Sequence, residues 1–159
     1  MFLTGCAQTP TSSVTLPSSF ATDAKITVDD TVYGAYISRF AGGYWQIELK
    51  EPAAVKGLIF TVSGEDTEVS FDGLRFTFDT DKFPVGSVVA AAIDSLDRIL
   101  ASPVDVINGE ESCLATGTIG NETYALTMSK THIPQRLELT ECKMTIDFYT
   151  FDTIEVTEQ

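Results

Sequence analysis

The sequence predicts an α+β fold: a strongly curved antiparallel sheet, a half-barrel of two meanders, covered by one main helix at about 87–101. Three observations predict it. Turn signals recur at short intervals along most of the chain. The registers that those turns impose place large apolar residues on one sheet face. A single stretch has helical rather than alternating periodicity.

The first meander begins with strands at Ala24–Val28 and Thr31–Phe40, joined at Asp29-Asp30. Ala41-Gly42-Gly43 leads into Tyr44–Lys50. Leu58–Val62 follows, then the loop Ser63-Gly64-Glu65-Asp66. Glu68–Phe71 and Leu74–Phe78 flank Asp72-Gly73, the strongest hairpin signal present. Directly opposed residues in a hairpin share a face. Ile26 is therefore expected opposite Tyr33, Phe60 opposite Val69, Val69 opposite Phe76, and Phe71 opposite Leu74. Ile37 is expected beside Trp45 or Ile47, and Leu58 opposite Phe71. One face then carries all of these with Leu49, while Gln46, Glu48 and Lys50 line the other, as in a sheet wetted on one side.

The helix is expected from Ser87 to Ala101. Val89, Ile93, Leu96 and Leu100 recur at helical spacing, with Asp94, Asp97 and Arg98 off that stripe. Ser87 serves as N-cap and Ser102-Pro103 as the stop. A lone amphipathic helix following strands most simply covers their apolar face. A second meander follows. Gly120-Asn121 joins Cys113–Ile119 to Glu122–Met128, setting the small residues Gly117, Ala115 and Cys113 against Tyr124, Leu126 and Met128. Leu137 and Leu139 are then expected to face Ile146 and Phe148 across a turn near Glu141–Met144.

Of 159 residues, 43% are hydrophobic, and the formal net charge is −13. That composition suits one domain, spanning residues 20–157. The charge repels phosphate, which argues against nucleic acid, and repels anionic headgroups, so membrane attachment through a basic patch is excluded. The longest wholly apolar run, Val88–Ile93, is far short of the ~20 residues of a spanning helix.

Leu3-Thr4-Gly5-Cys6 resembles a bacterial lipobox. The resemblance implies a diacylglyceryl group on the Cys6 sulfur and cleavage before that residue, so that residues 1–5 are the remnant of a signal peptide. Residues 6–19 are expected to form the lipid anchor and a Ser/Thr/Pro tether, since residues 7–19 cannot bury a core. The place implied is the bacterial cell envelope, at the outer face of the cytoplasmic membrane or in the periplasm. Cys113 and Cys142 are expected unpaired: the register separates them by about 23 Å along the strands, where a disulfide needs Cα atoms within ~7 Å.

Meander, helix and meander behind a lipobox resemble the LolA/LppX-like lipoprotein-carrier superfamily over residues 20–157. The local cues are Glu51-Pro52 with Gly57-Leu58, Tyr124-Ala125-Leu126 with Ile133-Pro134, and Ile146-Asp147-Phe148. The resemblance implies an incomplete barrel whose apolar concave side accepts acyl chains and which is not an enzyme. This chain departs from that pattern in starting directly with strands and in having one clear helix.

Trp45, Ile47, Phe60, Phe71, Phe76, Tyr124 and Leu126 are the candidate ligand face. They read either as lining of a hydrophobic-ligand cavity or as plain core, and core is the commoner fate of a one-sided sheet. Ala115 and Gly117 would leave a gap or admit the helix closely. The acidic pairs Glu65-Asp66, Asp79 with Asp81, and Glu110-Glu111 read as solvated turns, because the oxygen ligands of a calcium loop are missing. His132, the one histidine, reads as a loop residue, with no zinc site around it. Neither a nucleophile elbow nor a phosphate loop occurs, so no catalytic residue, metal or cofactor is expected. The function expected is a membrane-anchored, non-enzymatic lipoprotein that binds a lipid or other hydrophobic ligand. The alternative is an envelope protein-interaction or sensor module with a filled core.

Overall fold

A computed structural model describes residues 11–64, 66–77 and 84–154 of the chain. Within them lie thirteen strands and one helix: β1 (Thr11–Val14), β2 (Phe20–Val28), β3 (Thr31–Phe40), β4 (Tyr44–Glu51), β5 (Ile59–Ser63), β6 (Asp66–Phe71), β7 (Leu74–Thr77), α1 (Pro84–Leu100), β8 (Val104–Asn108), β9 (Ser112–Ile119), β10 (Glu122–Ser129), β11 (Pro134–Leu139), β12 (Met144–Phe148) and β13 (Asp152–Thr153). All the strand pairings are antiparallel, and they form a single sheet in the order β1-β8-β9-β10-β11-β12-β2-β3-β4-β5-β6-β7, with β13 alongside β2. The sheet does not close, because β1 and β7 are its two edges. This is the expected α+β half-barrel.

The hairpins hold the registers that their turns dictate. Asp72 and Gly73 both have positive φ, at 49° and 80°, the backbone whose twist matches the flanking strands. Phe71 accordingly opposes Leu74, and Val69 opposes Phe76. Gly42 and Gly43, at φ 80° and 77°, turn the chain between β3 and β4. Ile37 lies opposite Ile47 there, and Arg39 opposite Trp45. In the second meander Gly117, Ala115 and Cys113 oppose Tyr124, Leu126 and Met128 as expected.

The two meanders merge through β12 and β2, where Ile146 opposes Ile26 and Met144 opposes Val28. This seam makes one continuous apolar face. Ile26, Ile37, Trp45, Ile47, Phe60, Leu137 and Ile146 are all buried on it, and the helix presents Val85, Val89, Ala92, Ile93, Leu96 and Ile99 to the same core.

Several expectations are corrected. The helix runs Pro84–Leu100 rather than 87–101. Proline at the first helical position needs no hydrogen-bond partner for its nitrogen and has φ preset, so Ser87 lies inside the helix and is not its N-cap. The first long strand starts at Phe20, not Ala24. Much of the expected tether is structured: Thr11–Val14 pairs with Val104–Asn108, and Leu16 and Ser19 are buried. A polar segment can join a sheet edge through backbone hydrogen bonds alone, which composition does not reveal. Leu139 opposes Met144 rather than Phe148. Residues 1–10, Glu65, residues 78–83 with the Asp79-Thr80-Asp81 segment, and residues 155–159 lie outside the described residues, and with them Cys6.

Candidate functional site

The expected ligand face divides into a buried part and a part that keeps substantial exposure. Trp45, Ile47, Phe60 and Leu126 are buried in the core between sheet and helix. Phe71 and Phe76 share their sheet face but stand at its β7 end, 46% and 43% exposed, with Leu74 at 60%. For these three, the register set the face correctly and burial did not follow. A single 17-residue helix is about 25 Å long, too short to cover every strand of so wide a sheet. Tyr124 is partly buried, and its ring lies directly over Gly117: a Cβ on that glycine would come within 2.7 Å of the ring. The small residues of β9 thus neither leave a gap nor serve only to admit the helix. Gly117 seats an aromatic side chain from the neighbouring strand, and Ala115 lies opposite the buried Leu126. Burial raises the Tyr124 hydroxyl above its ordinary range, and Asp105 adds to the shift.

Under the C-terminal half of the helix lies a cavity of about 20 Å³, walled by Leu16, Phe20, Leu96, Ile99, Leu126 and Phe148 among others. That is room for about one water, so at this end of the helix the space against the sheet is filled by side chains. Leu16, Phe20 and Ile99 were not singled out by sequence. The signal for Ile99 was there: Val85, Ala92 and Ile99 recur every seventh residue beside the recognised stripe. Leu16 and Phe20 sit next to a Ser/Thr/Pro run that masks them.

The helix is pinned to the sheet by Asp97. Its Oδ1 accepts hydrogen bonds from Arg39 Nε and Nη2, both at 3.0 Å, and its Oδ2 accepts one from Trp45 Nε1 at 3.0 Å. Arg39 also stacks over the Trp45 ring at 5.4 Å and donates Nη1 to the Ser18 carbonyl. One carboxylate therefore joins α1, β3 and β4, and through Arg39 the segment leading into β2. Sequence marked Asp97 only as lying off the apolar stripe. Its partners come from strands more than fifty residues away. Nearby, the buried Ser19 hydroxyl has no hydrogen-bond partner.

The remaining candidate groups do not converge. Cys113 is buried and donates its thiol to Asn108 Oδ1 at 3.1 Å, and Cys142 lies in an exposed turn; both are unpaired. Partial desolvation raises the Cys142 thiol, with Glu122 adding to it. His132 sits in the β10–β11 turn at φ 62°. Among the described residues no group of three acidic, histidine or cysteine side chains could hold a metal ion, and no helix is long and apolar enough to cross a membrane.

No protein-family model matches this sequence, and no curated protein matches it. Among solved structures, the chain is similar to a LolA superfamily protein from Nitrosomonas europaea, at 10% identity and a TM-score of 0.46, covering 91% of this chain and 90% of that one. It is also similar to an uncharacterized conserved protein from Thermus thermophilus, at 9% identity and a TM-score of 0.49, covering 90% of this chain and 83% of that one. With TM-scores below 0.5, the half-barrel rests on this chain's own strand order and register.

Proposed function

We propose that this chain is a non-enzymatic, lipid-anchored domain of the bacterial cell envelope that binds an acyl chain or similar hydrophobic ligand. The observation that carries the reading is the mismatch between sheet and helix. The apolar face continues to the β7 edge, where Phe71 and Leu74 oppose each other and are 46% and 60% exposed. Large aromatic and aliphatic side chains left together in water favour an apolar occupant. The small volume beneath the C-terminal half of α1 directs that occupant to the β6–β7 end rather than under that part of the helix. Anchoring rests on the lipobox resemblance at Cys6, and the net charge of −13 leaves acyl chains as the means of holding the domain to anionic lipid.

Gentle extraction of the full chain followed by native mass spectrometry and lipid extraction tests the ligand. A retained acyl lipid, lost in a Phe71→Ser/Leu74→Ser variant that keeps its fold, is expected. Protein at its bare mass with no extractable lipid overturns the reading. Cys6→Ser tests the anchor separately and should release the protein from membranes. The filled space beneath the C-terminal half of the helix favours a second reading, an envelope interaction or sensor module without a ligand. In that case the same double variant would abolish co-purification of an envelope protein, and no lipid would be found in either form.

A further inference from the structure

A much larger concavity lies on the opposite side of the sheet. A groove of about 640 Å³ crosses the outer face of β4–β7, whereas the cavity under the C-terminal half of the helix is about 20 Å³. Sheet twist makes the outer face saddle-shaped, so it can be hollow along one diagonal. Its floor is a cross-strand row in which Gln46 opposes Thr61, Thr61 opposes Glu68, and Glu68 opposes Thr77. The next row sets Ile59 against Ser70, and Ser70 against Arg75. Tyr44 stands at the rim, 36% exposed, its ring 5.6 Å from that of Phe40.

The lining selects a chemical class. Around the groove, five side chains that the register places on this face carry hydroxyls: Tyr44, Thr61, Ser63, Ser70 and Thr77. Such a wall is a poor home for an acyl chain. Asp66 and Glu68 oppose an anion, and Arg75, 3.7 Å from Glu68, offsets one of the two carboxylates, so that little net charge is left to hold an ion. A neutral ligand rich in hydroxyls meets no such penalty. Hydroxyls donate and accept, while amide, carboxylate and guanidinium groups can bond two adjacent hydroxyls at once. A sugar ring also has an apolar C–H face, which an exposed aromatic ring can cover. The row of four strands spans about 14 Å, enough for more than one ring.

We propose that this groove binds a neutral oligosaccharide laid across β4–β7, with one ring against Tyr44. The site is independent of the apolar-ligand reading, because it lies on the other face of the sheet. The test is titration of the full chain with cellohexaose, chitohexaose and maltohexaose, each followed by calorimetry and by backbone amide shifts. Saturable binding of at least one is expected, with shifts confined to β4–β7. Tyr44→Ala should weaken it at least about tenfold, and Tyr44→Phe, which keeps the ring, should bind nearly as the parent does. Tyr44 is a surface residue, so an unchanged melting curve verifies that the variant is folded. The proposal is overturned if none of the three sugars saturates, if the shifts centre on the helix, or if Tyr44→Ala binds normally. It is also overturned if an oligolysine peptide, and no sugar, occupies the groove.

Discussion

Asp97 is the charged side chain that ties the helix to two strands of the sheet. It bridges a mostly buried guanidinium and a fully buried indole to the helix. Asp97→Ala leaves Arg39 Nε and Nη2 and the Trp45 N–H without their acceptor, a loss expected to cost about 1–3 kcal/mol in urea unfolding. Asp97→Asn keeps one carbonyl acceptor and should cost less. Trp45 was a candidate for ligand contact, but with no exposure left it is core, and Trp45→Ala is expected to cost about 3–5 kcal/mol or abolish folding. Phe71 and Leu74 are therefore the informative ligand probes. Asp23 shows a weaker effect. A hydrogen bond from Lys50 at 2.9 Å, then one from Thr150, holds its carboxyl below the ordinary range. A folded pKa lower than the unfolded one stabilises above the ordinary carboxylate range, and that contribution is lost as pH falls through the folded value. The pair is largely exposed, so its worth stays below about 1 kcal/mol. Lys50→Met should move the Asp23 carboxyl resonance midpoint upward in an NMR pH titration.

At the scale of elements, the β9–β10 hairpin carries the clearest constraint. Tyr124 covers Gly117 so closely that any side chain there must displace the ring. Gly117→Ala is expected to destabilise by about 1–3 kcal/mol. A Gly117→Ala/Tyr124→Leu double variant should recover part of that loss, which thermal unfolding of the two would reveal. The hairpins were legible in sequence because Asp72-Gly73, Gly42-Gly43 and Gly120-Asn121 specify local geometry, and each turn fixes which residues oppose one another. β1 and β13 were not legible. They are short and, Val14 apart, polar, and they become strands because β8 and β2 offer them hydrogen-bonding edges.

For the whole molecule, charge is the dominant global term. A net charge of −13 on 159 residues opposes compaction. Raising salt from 0.01 M to 0.15 M shortens the screening length from about 30 Å to about 8 Å. The midpoint of thermal unfolding should rise across that range, and a flat or falling midpoint would show that self-repulsion is unimportant. The two faces of the sheet then divide the functional proposals: an apolar inner face that continues to the β7 edge, and a hydroxylated outer groove.

The sequence by itself determined the hairpin registers, the face that each apolar strand residue takes, the single helix and the unpaired cysteines. These follow from two-residue alternation, helical periodicity and turn chemistry, all encoded within short stretches of chain. Only the tertiary structure decided which of those apolar residues are covered. Trp45 and Phe76 share one face in sequence logic, yet one is buried and the other exposed, because burial depends on where a single helix of fixed length comes to rest. The Arg39–Asp97–Trp45 junction and the outer groove belong to the same category. Each joins residues from separate strands or from helix and sheet, and their distances are set by packing and twist rather than by any local pattern.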